Sequence, residues 1–198
     1  VISTADIEEE TQGSSMMPTG LTKFLTRREL IDLIRFVTEL GRPGAYAVRT
    51  TPAIQRWRVL RQPPAELTAE VPHLEHIRQY VLGSEPDAWR SLYAKVAGAV
   101  PLEELRKGSQ PAVAILRGEV QVSEPGKVVF NVQTTETAQV WVDAESLDIK
   151  SPVELSLDRG LHQVIVRVEI SSRDAPELKV ELSRPQGSTV QFEVVGGS

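Results

Sequence analysis

The stretch GKVVFNVQTTETAQVWVDAESLDIKSPVELSLDRGLHQVIVRVEI, residues 126–170, decides what kind of fold this chain adopts. Its valines, isoleucines and aromatic residues fall in alternating or β-branched runs, the period at which side chains reach one face of a strand. Turn signals punctuate it: Pro125-Gly126 at its start, Asp158-Arg159-Gly160 before its last run, and Pro185-Gln186-Gly187 beyond it. The same texture extends outward through GEVQVSEP before it and through LKVELSRP and TVQFEVV after it. Several short strands at such intervals predict an antiparallel β-sandwich or jelly roll from about Pro111 to the end.

Upstream the period changes. Thr26 and Glu29 form a T-x-x-E capping box, and Leu30, Leu33, Ile34, Val37 and Leu40 then repeat at helical spacing until Gly41 and Pro43. Arg28, Asp32, Arg35 and Glu39 occupy the opposite face, so the helix is expected to lie on a core with one side wet. A second helical region is predicted over residues 72–105, from PHLEHIRQYVLG and PDAWRSLYAKVAGAVPLEEL. The fold class that results is α+β, an N-terminal α-helical segment followed by an antiparallel β-sandwich. Three parts are expected: residues 1–41, a helical or irregular connector over 42–109, and the sandwich over 110–198.

The chain has 198 residues, 40% hydrophobic and 25% charged, a globular composition. Residues 1–109 carry 14 basic and 14 acidic side chains and residues 110–198 carry 8 and 13, so the net charge of −5 belongs to the β half. That balance gives no reason to expect nucleic acid as a partner, which needs clustered Lys and Arg. The cysteine count of 0 excludes disulfides, thiolate metal sites and thiolate nucleophiles within these residues. Apolar runs such as AVAIL fall far short of the roughly 20 residues that span a bilayer. The opening VISTADIEEE lacks a basic or apolar leader pattern and is expected to be the tail of something longer.

Met16, Met17 and Pro18 precede the capped helix. A thioether is a soft ligand suited to haem iron, and as axial partner to a histidine it raises the reduction potential; the alternative is a pair of methionines filling gaps against the helix. The run MMPTGLTKFLTRRELIDLIRFVTELG resembles the end of class I cytochromes c, where a Met ligand lies in a loop before the last helix. Together with LGRPGAYAV, IQRWRVL and WRSLYAKVAGAVPLEEL, it makes residues 1–105 similar to the C-terminal region of planctomycete-type haem-binding multidomain proteins, in which dehydrogenase-like domains precede a c-type cytochrome domain. The resemblance implies Met17 as axial iron ligand, Met16 as the alternative and Pro18 fixing the backbone beside it. It implies haem c attached upstream, since this chain has no C-x-x-C-H. It further implies electron transfer with an unidentified redox partner, upstream domains of the same polypeptide as partners, and a periplasmic or extracellular location.

The β half resembles the lectin-like sandwich of protective-antigen-type domains. That resemblance implies a module that binds glycan or a protein, with loop aspartates holding calcium. Asp143 stands at the matching Trp-Val-Asp position, but no adjacent Asp-Asp pair accompanies it.

Other chemistry is sparse. His73 and His76 lie at i, i+3, a spacing compatible with a shared metal but also with two surface histidines. His162 opens a strand, where a structural role is favoured. Residues 42–62 contain five arginines and no acidic residue; Arg49, Arg56, Arg58 and Arg61 beside Trp57 suit anionic groups with arginine stacking on the indole, or else form a solvated rim around a buried Trp. Glu103 and Glu104 read as surface carboxylates. No nucleophile elbow, phosphate loop or dinucleotide fingerprint is present, so the chain itself is expected to be non-catalytic.

Overall fold

In a computed structural model of the chain, the described residues are 20–43, 51–68, 72–82, 86–106, 112–171 and 175–195. The chain divides into two compact units, Val1–Leu40 and Gly41–Ser198.

The described part of the first unit is a 3-10 turn, Leu21–Phe24, followed by helix α1, Arg27–Glu39. The capping box forms as its sequence requires: the Glu29 N–H donates to Thr26 Oγ1 at 3.2 Å and the Thr26 N–H donates to Glu29 Oε2 at 2.7 Å. Glu29's carboxyl is held below its ordinary range by those Thr26 contacts. Gly41, at φ 86, follows the C-cap Leu40 in the left-handed conformation that ends helices. None of the residues of α1 is buried, against the expectation of a helix lying on a core.

The second unit contains β1 (Arg56–Leu60), α2 (Ala65–Thr68), α3 (Leu74–Ile77, continuing as a π turn over Arg78–Leu82), β2 (Trp89–Tyr93) and a 3-10 turn over Leu102–Leu105. Then come β3 (Ala112–Glu124), β4 (Gly126–Thr134), β5 (Thr137–Val142), β6 (Glu145–Leu147), β7 (Val153–Leu157), β8 (Gly160–Ile170), β9 (Leu178–Ser183) and β10 (Gln191–Val194). These strands make two antiparallel sheets. The larger runs β2-β1-β3-β8-β5-β6 with β10 also on β3, and the smaller runs β7-β4-β9. The β-sandwich and the α+β class are therefore present.

The strand β3 organises the larger sheet. Along one edge it pairs with β8 from Ala112↔Ile170 to Val122↔Gly160. Its other edge is shared end to end: β1 takes the first part through Val59↔Leu116 and Arg58↔Arg117, and β10 takes the second through Val194↔Val120 and Phe192↔Val122. Residues 52–54 lie first against the small sheet, where the Ile54 N–H donates to the Val180 carbonyl at 3.0 Å and the Leu182 N–H to the Pro52 carbonyl at 2.8 Å. The chain then crosses into β1 of the large sheet.

Both faces of the large sheet are buried, which explains why β3 and β8 read as near-continuous apolar runs rather than strict alternation. Leu116, Val120, Val164, Val166 and Val168 face the small sheet's Val128, Phe130, Val180 and Leu182. On the other face Ile115, Trp141 and Ile165 pack with Leu67, Ile77, Val81 and Trp89. A helical layer thus covers the outside of the sandwich. Gly118 leaves room for two buried side chains: a Cβ there would lie 2.7 Å from Ile54 Cγ2 and 3.3 Å from Trp57 Cζ3.

Residues 72–105 differ from the helical expectation. Only the Leu74–Ile77 helix, its π continuation and short 3-10 turns are helical among the described residues; Trp89–Tyr93 is a strand. Trp89, Leu92 and Tyr93 have helical spacing in a run too short for periodicity to decide. Pairing with β1, from Arg56↔Tyr93 to Leu60↔Trp89, decides it. Residues 42–109 accordingly contribute two strands to the sheet of the β half.

Candidate functional site

Met16, Met17 and Pro18 lie outside the described residues, as does Arg49. Among the described residues no group of three or more His, Asp or Glu side chains is placed to hold a metal ion.

The basic stretch resolves into separate environments. Trp57 is fully buried in the inter-sheet core, its Nε1–H donating to the Ile54 carbonyl at 3.0 Å, so it presents no face for arginine stacking. Arg61 donates from Nε to the Trp89 carbonyl at 3.2 Å. The arginine that stacks on an indole is Arg117, whose guanidinium carbon lies 4.4 Å from the centre of the Trp89 ring and whose Nη1 donates to the Val81 carbonyl at 3.4 Å. Burial, then the neighbouring Arg58, pushes the Arg117 guanidinium below its ordinary value, with Glu119 acting in the opposite sense. It stays charged at neutral pH because guanidinium starts so high.

Arg167 is a second buried arginine, only 1% exposed. Its Nε donates to the Leu67 carbonyl at 2.9 Å and its Nη2 to the Thr68 carbonyl at 3.0 Å, while Nη1 reaches Gln139 Oε1 at 3.1 Å and Glu169 Oε1 at 2.6 Å. One guanidinium thereby fastens the end of α2 to β8 and β5. Both arginines were legible as anomalies, since each is a lone cation inside an apolar strand run, AVAILRGEV and HQVIVRVEI. Sequence reasoning passed over them in favour of the visibly clustered arginines near Trp57.

His73 and His76 do come together, with ring centres 5.8 Å apart in an edge-to-face arrangement, and Tyr80 lies 6.3 Å from His76. The contact is aromatic packing on a short helical turn. His162 is more constrained: Nδ1 lies 2.8 Å from Asp143 Oδ2 and Nε2 lies 2.8 Å from the Asp158 carbonyl. Asp143 Oδ1 in turn accepts the Gln163 N–H at 2.8 Å. Both carboxylate oxygens of Asp143 are therefore engaged within the fold, which leaves no loop carboxylate projecting for calcium at the position the lectin-like resemblance singles out. Trp141 beside it is buried strand packing.

A cleft of about 540 Å³ with a mixed polar lining lies beside the small sheet, bounded by Lys95, Glu103, Gln133, Thr135, Glu177 and Lys179 among others. Burial pushes the Glu103 carboxyl upward, but the hydrogen bond from Lys95 at 2.8 Å, a backbone hydrogen bond and the charges of Lys95 and Arg106 outweigh it and hold it below the usual range. Thr135 Oγ1 accepts the Glu177 N–H at 3.0 Å, and Gln133 Nε2 donates to Glu181 at 3.3 Å. The walls are thus lined by amide, hydroxyl, ammonium and carboxylate groups held in fixed positions by the strands. Glu104 lines a separate cleft with Arg61, Arg90 and Arg106.

No protein-family model matches the chain, and no curated protein does. Among solved structures, it is similar to a β-glucosidase from Kluyveromyces marxianus, at 13% identity and a TM-score of 0.42 over 74% of this chain and 15% of that one. The same enzyme in complex with glucose gives 12% identity and a TM-score of 0.43 over 66% and 16%. The chain spans about one sixth of the length of those structures.

Proposed function

We propose that residues 41–198 form a non-enzymatic binding module whose sandwich takes a glycan in the cleft framed by Lys95, Glu103, Gln133, Thr135, Glu177 and Lys179. The observation that supports this reading is the lining of that cleft. Neighbouring donors and acceptors of both charge signs, held by strands and turns, match the alternating hydroxyls of a sugar better than they match an apolar or singly charged ligand. Both broad faces of the large sheet are occupied internally, by the small sheet and by the arginine-clamped helical layer, so recognition falls to edges and loops. A protein partner is the alternative occupant. The test is an amide NMR titration with a panel of neutral and acidic oligosaccharides. Shifts confined to the strand ends and turns around Gln133, Thr135 and Glu177, weakened by Gln133→Ala, support the reading. Shifts elsewhere, or none with any sugar, overturn it.

A second reading is favoured by the resemblance of residues 1–105 and by the capped helix α1, which forms where that resemblance requires one. In it, the chain closes a secreted or periplasmic c-type cytochrome protein that supports electron transfer, with Met17 as axial ligand to haem c attached upstream. The measurement is the visible spectrum and haem potential of the full-length protein. Replacement Met17→Ala is expected to lower the potential, because a thioether axial ligand raises it. A full-length protein without haem, or with a potential indifferent to Met17, overturns the reading.

A further inference from the structure

We infer that His162 is a proton-dependent clasp: with two ring protons it ties the β5–β6 turn to the β7–β8 turn, and with one it releases one of them. The inference rests on what surrounds the ring. The Asp158 backbone carbonyl can only accept a hydrogen bond, and Asp143 is a carboxylate whose other oxygen already accepts the Gln163 N–H. Two acceptors at 2.8 Å on opposite nitrogens demand two donors, and only the imidazolium has both. A neutral imidazole satisfies one contact and leaves the other as two acceptors facing each other.

The elements packed around the ring add no competing charge. On β3 its register partner is the apolar Val120, and at the end of β5 stands Val142. Arg159, in the same turn as Asp158, points its guanidinium elsewhere, donating to the Ser123 carbonyl at 2.7 Å and to Glu124 at 3.0 Å. The charged groups that act on His162 are Asp143 and Asp158. Burial, the largest influence on the ring, pulls its pKa down; the Asp158 carbonyl, the Asp143 hydrogen bond and the two negative charges outweigh it, so the net direction is upward from 6.5. A group whose folded pKa is raised stabilises the fold fully below its unfolded value and loses that contribution as pH rises through the folded value. The clasp is therefore closed in mildly acidic solution and opens on the alkaline side of 6.5.

What opens is a join between layers. Strand β7 belongs to the small sheet and β8 to the large one, so the turn carrying Asp158 is a crossover between them. Asp143, at φ 52, holds a left-handed conformation unusual for a residue with a side chain, secured by its exchange of hydrogen bonds with Gln163. Loss of the imidazolium removes one of the supports of that strained turn.

The test is an NMR titration of the histidine ring signals of the intact protein from pH 5 to 9, with amide exchange measured at Asp143 and Gln163. His162 is expected to titrate above 6.5 and to move downward in Asp143→Asn. The protection of the two amides, corrected for intrinsic exchange, is expected to fall roughly tenfold across that titration, the effect of losing one charged hydrogen bond. In His162→Gln the pH-linked step is expected to vanish. A His162 that titrates at or below 6.5 in the unaltered protein, keeps its value in Asp143→Asn, or titrates without any change at the two amides overturns the inference.

Discussion

Replacing Arg167 by methionine removes the guanidinium donors that fasten the end of α2 to the sheet while keeping much of the side chain's length. The carbonyls of Leu67 and Thr68 lose their guanidinium partners. A buried acceptor left without a donor costs about 1–3 kcal/mol, which puts the two together at roughly 2–6 kcal/mol. Glu169 adds little, because its side chain is nearly half exposed and water screens its charge. Against this stands the relief of no longer burying a cation, worth a few kcal/mol in similar replacements. The net expectation is a destabilisation of about 2–3 kcal/mol, or a fall in melting temperature of roughly 4–12 °C for a unit of this size. Urea unfolding followed by tryptophan fluorescence measures it, since Trp89 and Trp141 lie in the affected layer. Hydrogen exchange supplies the location: amides of residues 65–82 are expected to lose protection before those of β3 and β8. Arg167→Lys is expected to fall between the two, keeping the charge but losing the two-pronged geometry. A methionine variant as stable as the parent, or one whose exchange rises uniformly, would refute the clamp.

Gly118→Ala is expected to cost about 1–3 kcal/mol by overpacking, because the added methyl meets Ile54 and Trp57, both fully buried. In a double-mutant cycle with Ile54→Ala the cost should shrink, and simple additivity would contradict the close approach. Thr26→Ala is expected to lower the stability of α1 by about 1 kcal/mol, read as faster exchange of its first-turn amides with the second unit unaffected.

How far the sequence spoke for itself varied along the chain. The helix α1 and its cap were legible because Thr26, Glu29 and the Leu30 to Leu40 stripe are local signals that need no partner. The strands β4 to β9 were legible for the same reason, with period two and glycine turns lying side by side. The strands Arg56–Leu60 and Trp89–Tyr93 were not, because five residues carry too little pattern and only the pairing of one with the other, 33 positions apart at Arg58↔Ser91, makes either a strand. At the candidate sites, Asp143 and His162 were each visible as residues, but their meeting depends on the pairing of β5 with the non-consecutive strand β8, which brings positions 19 apart to hydrogen-bonding distance. The polar cleft was invisible for a like reason: Lys95, Gln133 and Glu177 come from three separate stretches of chain.

The shared edge of β3 makes the first and last strands of the second unit lodgers on the same backbone. Neither β1 nor β10 alone occupies that edge, so the sheet is finished only when segments more than 130 residues apart in the chain have both arrived. Such distant pairing is slow to assemble. A chain trimmed just before Gln191 would bare the backbone N–H and C=O groups of β3 that point toward β10, a ready template on which a second molecule builds cross-chain strands. For anyone cutting this protein into pieces, the last short strand is a stopper rather than a tail.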